Sequence, residues 1–593
     1  MSLFDQKRGH AASPSEIKGK FVHSYFSYVN GQDVLEDPGQ RWLYCLRASA
    51  FLRNVLPSLS LKRDLEMGRR GSEEAGPDVV ARVALSSQQT LEAALEAAAA
   101  AAPAWAAMPL ETRMYVGQRF HEEVRRCRHE FVEVLIDEGH PRALAEWEVA
   151  GVLRGSSPEL FSYCRSQLSF TTMAEGRTVR LERKPDGVVA LSPPQNAAAS
   201  NSLLGVPALV AGNTLVVKAP RSTPYGVLYA WRTIVAPILE EVGAPPGTLN
   251  IICGHPKQVV ASWLESPLVD DIFFFGSSEN GIELERNAVA RGKKTVLELA
   301  GNDGFVVWRD ADLDSAAEAA TECFFGSGQI CMVPKYVLAH PEIADAFIER
   351  VTARAAEIRP GYPEDDGILL SPVIKTDSYF AMLRQAHEHG AEVVVGGRRL
   401  EVDGTPSTTG LFVEPTVLRV DGMAAARDVD AVRRETFFPL LPIVVPDSGD
   451  AGVQAGTSDA LLDAMVAFLN ANEYGLRNSV WATDPEVIEA FAARVTNGGL
   501  LKINDSHIGF VPGLATHGGT GLTGGTNGEL NYPMLRTTHL QGISIGHDVR
   551  PRRAVFSGFD DEFDEEFEDV QAGRFAELVV DTPIAETAEA ARA

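Results

Sequence analysis

Three short segments carry side chains whose types suit covalent chemistry. Cys331 follows Gly328-Gln329-Ile330, beside small residues in a loop. A cysteine so placed is either exposed and reactive or one more buried core thiol. Glu298 lies 33 residues earlier in Leu297-Glu298-Leu299-Ala300-Gly301, at the end of a β-prone run. A carboxylate at the carboxyl end of a strand, next to glycine, is placed to face a cleft; the plain alternative is a solvated strand-end residue. Phe274-Phe275-Gly276-Ser277-Ser278-Glu279-Asn280-Gly281 reads as a strand running into a helix start. Backbone N–H groups and a serine hydroxyl there can hold a pyrophosphate, although that glycine spacing alone is usually a turn. A thiolate can attack an electrophilic carbon and leave again, which suits a two-stage reaction, and a carboxylate can activate water for the second stage.

The elements that must position these residues are legible as a pattern. Val188–Leu191, Thr214–Val217, Leu249–Ile252, Ile272–Phe275 and Thr295–Leu299 are short β-prone runs, most of them separated by helical text. That alternation predicts an α/β fold, a parallel sheet covered by helices. A second such series runs from about Gly304 to Ala482. Ser86–Ser87 can cap the Ala-rich run Leu91–Ala102, which Pro103 would interrupt. Another helical stretch spans Glu111 to Asp137. Residues 166–184 alternate around Glu175–Gly176 and predict a β-hairpin. Residues 1–80 read as an appended segment, with helix-like spacing from Trp42 to Leu59 and a charged, Gly-rich linker from Lys62 to Pro77. They are either a helical cap or a partner-docking element, with core packing the plain reading of Trp42, Tyr44 and Phe51.

Composition bounds the function. A chain of 593 residues suits two or three domains. Its net charge of -26 argues against a nucleic-acid partner. About ten of those charges sit in residues 554–593, which hold 12 Asp or Glu against two Arg and read as a disordered, solubilising tail. The six cysteines form no C-x-x-C pair, so reduced thiols in a cytosol are expected, and no metal site. No apolar run reaches the roughly 18 residues that span a bilayer, and Met1 to Gly19 is too polar for a signal peptide. A cytoplasmic protein without membrane contact is expected.

Taken together, the segments resemble the aldehyde dehydrogenase superfamily over about residues 80–545. The resemblance rests on Trp105, Pro109 and Arg113; Ala211-Gly212-Asn213-Thr214-Leu215-Val216-Val217-Lys218; Gly243-Ala244-Pro245-Pro246-Gly247-Thr248-Leu249-Asn250; and the Phe-Gly-Ser segment at 274–277. It continues through Leu297–Gly301, Gly328–Cys331, Glu435-Thr436-Phe437-Phe438-Pro439 and Tyr474-Gly475-Leu476. It implies an NAD- or NADP-dependent oxidation of a small-molecule aldehyde. Cys331 would be the nucleophile, passing through a thiohemiacetal and a thioester. Glu298 would activate the water that hydrolyses the thioester to an acid. For the cofactor it implies Lys218 on the adenosine ribose, Gly276 and Ser277 at the pyrophosphate turn with Gly281 one turn on, and Glu435 with Phe437 at the nicotinamide. Ser192, Pro194 and Leu299 fall in the matching cofactor segments.

Three departures stand out. Where the family has Pro-Trp-Asn, whose Asn donates to the oxyanion, this chain has Ser192-Pro193-Pro194-Gln195-Asn196. Ungapped counting puts Gln195 in the Asn place and a one-residue slip puts Asn196 there; either amide can donate. Three residues past Lys218, where NAD-preferring members often carry Glu, stands Arg221. It can pair with a 2′-phosphate, which favours NADP, or be a solvated helix-start residue. The Gly-rich segment from Gly518 to Gly528 is expanded.

The expected architecture is a Rossmann-like cofactor domain (81–165 and 185–298), an α/β catalytic domain (299–496), and an oligomerisation sheet from hairpin 166–184 and arm 497–550. Residues 551–593 would be an acidic tail, and a homodimer or homotetramer is expected. Two other functions compete with hydrolytic oxidation. One is a CoA-acylating dehydrogenase or acyl reductase, whose members usually lack the glutamate. The other is a catalytically impaired scaffold with the same fold.

Overall fold

The computed structural model describes residues 23–36, 39–174, 176–450, 458–547 and 549–551. Most of the predicted acidic tail and residues 1–22 of the appended segment lie outside them. The described residues divide into two compact units, one of 23–167 and 183–539 and one of 168–182 and 540–551.

The larger unit contains two seven-stranded sheets. In the first, five parallel strands run in the order Lys294–Glu298, Asp271–Phe275, Val188–Ser192, Thr214–Ala219 and Leu249–Cys253. These are the five predicted runs, each extended or shifted by one or two residues. The chain starts on the central Val188–Ser192 strand, builds outward to one side, then crosses to the other. The carboxyl ends beside that reversal are where open α/β sheets bind ligands. Ser192, Lys218, Gly276 and Glu298 all lie at those ends. The second sheet is likewise mostly parallel, in the order Glu392–Val395, Thr416–Asp421, Leu440–Val445, Pro334–Ala339, Asp303–Val307, Arg477–Trp481 and Leu500–Ile503, with Glu392–Val395 antiparallel.

Successive residues of the second sheet feed opposite cores. Val306, Leu338 and Val480 pack on one face, and Phe305, Val307, Val337 and Ala339 on the other. Burial on both faces explains why the inner strands Leu440–Val445, Pro334–Ala339 and Asp303–Val307 are mostly apolar rather than alternating.

The appended segment differs from its expected form. Ser27–Val29 and Gln32–Val34 form a hairpin that extends the first sheet, pairing antiparallel to Leu249–Cys253 through Tyr28 and Ile251. Asn30 and Gly31 turn it with φ of 53° and 78°, the paired left-handed conformation of a two-residue hairpin. Trp42–Leu46 is a strand, not a helix: its aromatic and β-prone residues pair antiparallel with Val79–Ala84 and bury Leu43, Tyr44 and Cys45. The helices come later, at Ala48–Arg53 and Val55–Glu66, so the predicted linker begins inside a helix. Of the described residues of the segment, Ser27–Val29 and Gln32–Val34 thus join the first sheet, while His23–Tyr25 and Trp42–Leu46 flank Val79–Ala84 in a separate three-stranded sheet.

Ser87 caps the helix Gln88–Ala106 by accepting from Thr90 N–H. Pro103 sits within its last turn instead of ending it. So close to the terminus a proline removes one bond from a turn that is about to end. Helix Leu110–Glu138 follows.

The smaller unit holds most of the hairpin Ser169–Ala174 and Arg177–Pro185, paired in register from Ser169↔Glu182 to Ala174↔Arg177, and most of the neighbouring strand Thr538–Gly546. It leaves Phe170, Met173 and Leu540 more than half exposed. Among the described residues no single helix is long and apolar enough to cross a membrane.

Candidate functional site

The chain bends sharply just before Cys331. Gly326, Ser327 and Gly328 have φ of 59°, 57° and 67°, a region costly for a non-glycine residue. Ser327 is held there by its hydroxyl, which donates to Ser371 O at 2.5 Å and accepts from Ser371 N at 3.0 Å. A Cβ at Gly328 would lie 2.1 Å from Phe438 O. Only glycine lets this loop approach the Glu435–Pro439 segment so closely. Lys335 ties the two together: its buried ammonium donates to Gly328 O, Ile330 O and Thr436 O at 2.7–3.1 Å.

The result discriminates among the cysteines. Five of the six are buried, and Cys331 alone is partly exposed. It borders a pocket walled by Phe120, Trp147, Phe161 and Phe510. Trp147 and Phe510 stack at 5.1 Å. Desolvation first, and the Glu435 and Asp303 carboxylates second, push the Cys331 thiol up to about 12; Lys335 and Arg477 oppose them.

Asn196 borders the same cavity. One of its Nδ2 hydrogens goes to Gln329 O at 2.9 Å. Its backbone oxygen accepts from His140 Nε2 at 3.0 Å, and His140 Nδ1 lies 3.0 Å from Glu148 Oε1. Burial works against charge on His140, but Glu148 outweighs it and raises the pKa to about 9. Gln195, the ungapped candidate, is exposed and is not among the residues bordering this cavity.

Glu298 ends its strand, 5% exposed, in an adjoining cavity. Its Oε2 accepts from Gly518 N–H at 3.0 Å and its Oε1 from Asn531 Nδ2 at 2.8 Å. Desolvation raises its pKa to about 7; the two hydrogen bonds pull the other way. The two cavities share Phe161, Leu204, Pro207, Thr516 and His517 as walls.

The remaining predicted residues gather at the strand ends of the first sheet. Ser192 is buried there, and Pro194 follows, half-buried. Lys218 is 3% exposed, and burial lowers its pKa. Its ammonium has no acceptor among the described residues. Arg221, three residues on, is exposed and has no ion pair among them. Ser277 caps the helix Ser278–Val289, accepting from Asn280 N–H at 3.4 Å. A Cβ at Gly281 would lie 2.2 Å from Leu299 Cδ2, so Gly281 and the buried Leu299 press helix onto sheet. Glu435 accepts from Gly301 N–H at 3.1 Å, and Phe437 is half-buried with Lys335 Nζ 5.7 Å from its ring centre. A buried lysine without an acceptor, a capped helix start and a close glycine fit a dinucleotide with its phosphates at that helix N-terminus.

Residue-by-residue reading missed Lys335, His517 and Asn531. Lys335 and Asn531 look like ordinary polar residues in text. His517 directly precedes the expanded Gly-rich segment, the one signal that marked the region.

The aldehyde dehydrogenase family profile matches residues 72–541. A vanillin dehydrogenase of Corynebacterium glutamicum is 31% identical over 475 residues, covering 78% of this chain and 92% of that one. A benzaldehyde dehydrogenase of Bacillus subtilis is 33% identical over 384 residues, 63% of this chain and 72% of the relative. The crystal structure of lactaldehyde dehydrogenase from Escherichia coli shares the fold, with TM-score 0.71 at 22% identity over 89% of this chain and 100% of that one. With a profile matching most of its length, a thiol and a carboxylate in adjoining cavities at the mouth of an open α/β sheet, this chain belongs to the aldehyde dehydrogenase family, enzymes that oxidise aldehydes.

Proposed function

We propose that the protein oxidises an uncharged aldehyde of aromatic or apolar body to its carboxylic acid, using NAD or NADP. The observation that carries this reading is that Cys331 and Asn196 border one aromatic-walled cavity while Glu298 borders the next, with shared walls. Among the described residues no lysine or arginine lines the Cys331 cavity, so nothing there would pair with an anionic substrate tail. The names of the benzaldehyde and vanillin relatives agree with an aromatic substrate.

Cys331 gives its thiol proton to water as Sγ adds to the aldehyde carbon, forming the oxyanion of a thiohemiacetal. Two donors are available to its oxyanion: the second Nδ2 hydrogen of Asn196 and the Cys331 N–H, which has no acceptor among the described residues. The nicotinamide, when bound, supplies the hydride acceptor that turns this adduct into a thioester. Glu298, with its pKa near 7, then takes a proton from water as the water attacks the thioester carbon, and the Cys331 thiolate leaves. Retention of this carboxylate supports hydrolysis over transfer to CoA.

Lys218, Gly276, Ser277, Glu435 and Phe437 would hold the cofactor. Arg221 supports acceptance of NADP, because an unpaired guanidinium beside Lys218 can bind a 2′-phosphate bidentately. The exposed apolar sheet of the smaller unit supports pairing between subunits.

The test is an aldehyde panel with NAD or NADP, with and without CoA, followed by absorbance of the reduced cofactor. Turnover of benzaldehyde-like substrates without CoA is expected. Strict CoA dependence would overturn the hydrolytic reading, a strong NAD preference would remove the NADP reading, and no turnover by folded protein would indicate an inactive scaffold.

A further inference from the structure

His517 is buried and its Nε2 has no hydrogen-bond partner. His517 lines both the Cys331 cavity and the Glu298 cavity. Its surroundings hold it there. Nδ1 lies 2.6 Å from Thr516 Oγ1, and Arg477 Nη2 donates to Thr516 O at 2.6 Å. The Phe275 ring meets it edge-on at 6.0 Å. The next residue, Gly518, gives its N–H to Glu298 Oε2, so the backbone that places the imidazole also places the carboxylate. Leaving a buried polar atom unpaired is costly, so a partner is expected in the working enzyme. Desolvation and the Arg477 charge lower the His517 pKa to about 3, which keeps the ring neutral at ordinary pH with one nitrogen lone pair free.

We propose that His517 Nε2 holds the hydrolytic water between Glu298 and the Cys331 thioester. This rests on the hydrolytic reading above. In the tautomer this requires, Nδ1–H donates to Thr516 Oγ1, so that Nε2 is a bare acceptor. The water donates one O–H to Glu298 and the other to Nε2. With both hydrogens claimed, an oxygen lone pair faces the acyl carbon. In the step itself the C–O bond forms and the C–Sγ bond breaks. One water proton passes to Glu298 and from there to the departing thiolate, and the product is the carboxylic acid. His517 transfers no proton; it orients the water.

The experiment compares His517→Phe, of similar size but without an acceptor, and His517→Gln, whose amide oxygen can accept. Stopped-flow absorbance of the reduced cofactor and intact mass of quenched protein are both recorded. For His517→Phe, a burst of about one reduced cofactor per site followed by hydrolysis slowed roughly tenfold or more is expected, with acylated Cys331 accumulating. His517→Gln should recover part of the hydrolysis rate. Unchanged hydrolysis in His517→Phe, or a loss confined to KM, would overturn the proposal. If Phe prevents folding, His517→Leu, which also lacks an acceptor, serves the same test, slowed hydrolysis with an intact burst supporting it and an unchanged rate sinking it. Failure of the hydrolytic reading itself looks different: the unaltered protein would either acylate Cys331 and release product only when CoA is present, or never acylate Cys331 at all.

Discussion

Cys331 and Glu298 are both titratable groups raised by burial, yet the chain supports them in opposite ways. The thiol rests on local structure. Its loop is bent by three left-handed residues, and Lys335, four residues on, holds two carbonyls of the same loop. The carboxylate ends a regular strand, but both donors that hold it come from residues more than 200 positions later, Gly518 and Asn531. The setting of the proposed nucleophile is a feature of one short segment, while the proposed base is placed only after the C-terminal part of the chain has packed. The thiol feels charges of both signs, whereas two neutral donors hold the carboxylate and Arg536 adds a smaller pull in the same direction. The carboxylate's pKa is therefore set mainly by how dry its cavity is.

The largest effect should come from the nucleophile. Cys331→Ser is expected to lower kcat roughly 10³–10⁶-fold, because a hydroxyl is a far weaker nucleophile and leaving group than a thiol. Steady-state turnover with a check on folding measures it, and retained activity would break the comparison at its first side.

Glu298→Gln should slow hydrolysis about 10²–10⁴-fold while leaving the first oxidation in place. A carboxyl with pKa about 7 is a base only when ionised, above that pH. The hydrolysis rate of the unaltered enzyme should therefore fall as pH drops through about 7, and the Gln variant should lose that limb. A pH profile of single-turnover hydrolysis reads both.

Lys335→Met sharpens the local side. It leaves three carbonyls without their charged donor, and a loss of about 2–4 kcal/mol of stability is expected together with reduced acylation. Chemical denaturation and the burst rate measure the two. Asn531→Leu sharpens the distant side. Losing one hydrogen bond of ~1 kcal/mol should raise the Glu298 pKa by about 0.7 unit, moving the acid limb upward with little change at high pH.

Much of this was legible in the text because regular elements declare themselves locally. The five strands of the first sheet are bounded by turn residues, and Ser87 and Ser277 cap the helices their positions suggested. The appended segment was harder. Trp42 to Leu59 mixes strand and helix residues, and a single helical period blurs the break at Arg47. The Asn30–Gly31 hairpin turn carried a strong local signal that composition-level reading passed over. The choice between Gln195 and Asn196 could not be made by counting, because both side chains offer the same donors. Their placement differs only once the loop is set against Gln329 and His140.

By itself, then, the order of residues determined the alternation of strand and helix, the family resemblance, and the identity of one thiol and one carboxylate as candidates. Those follow from periodicity and from side-chain chemistry, which are properties of short stretches. Tertiary structure alone decided which cysteine reaches a cavity, that Glu298 is dry enough to hold its proton until about pH 7, and that His517 stands between the two chambers. Burial and hydrogen-bond partnership depend on segments hundreds of residues apart, and no local pattern encodes where those segments meet.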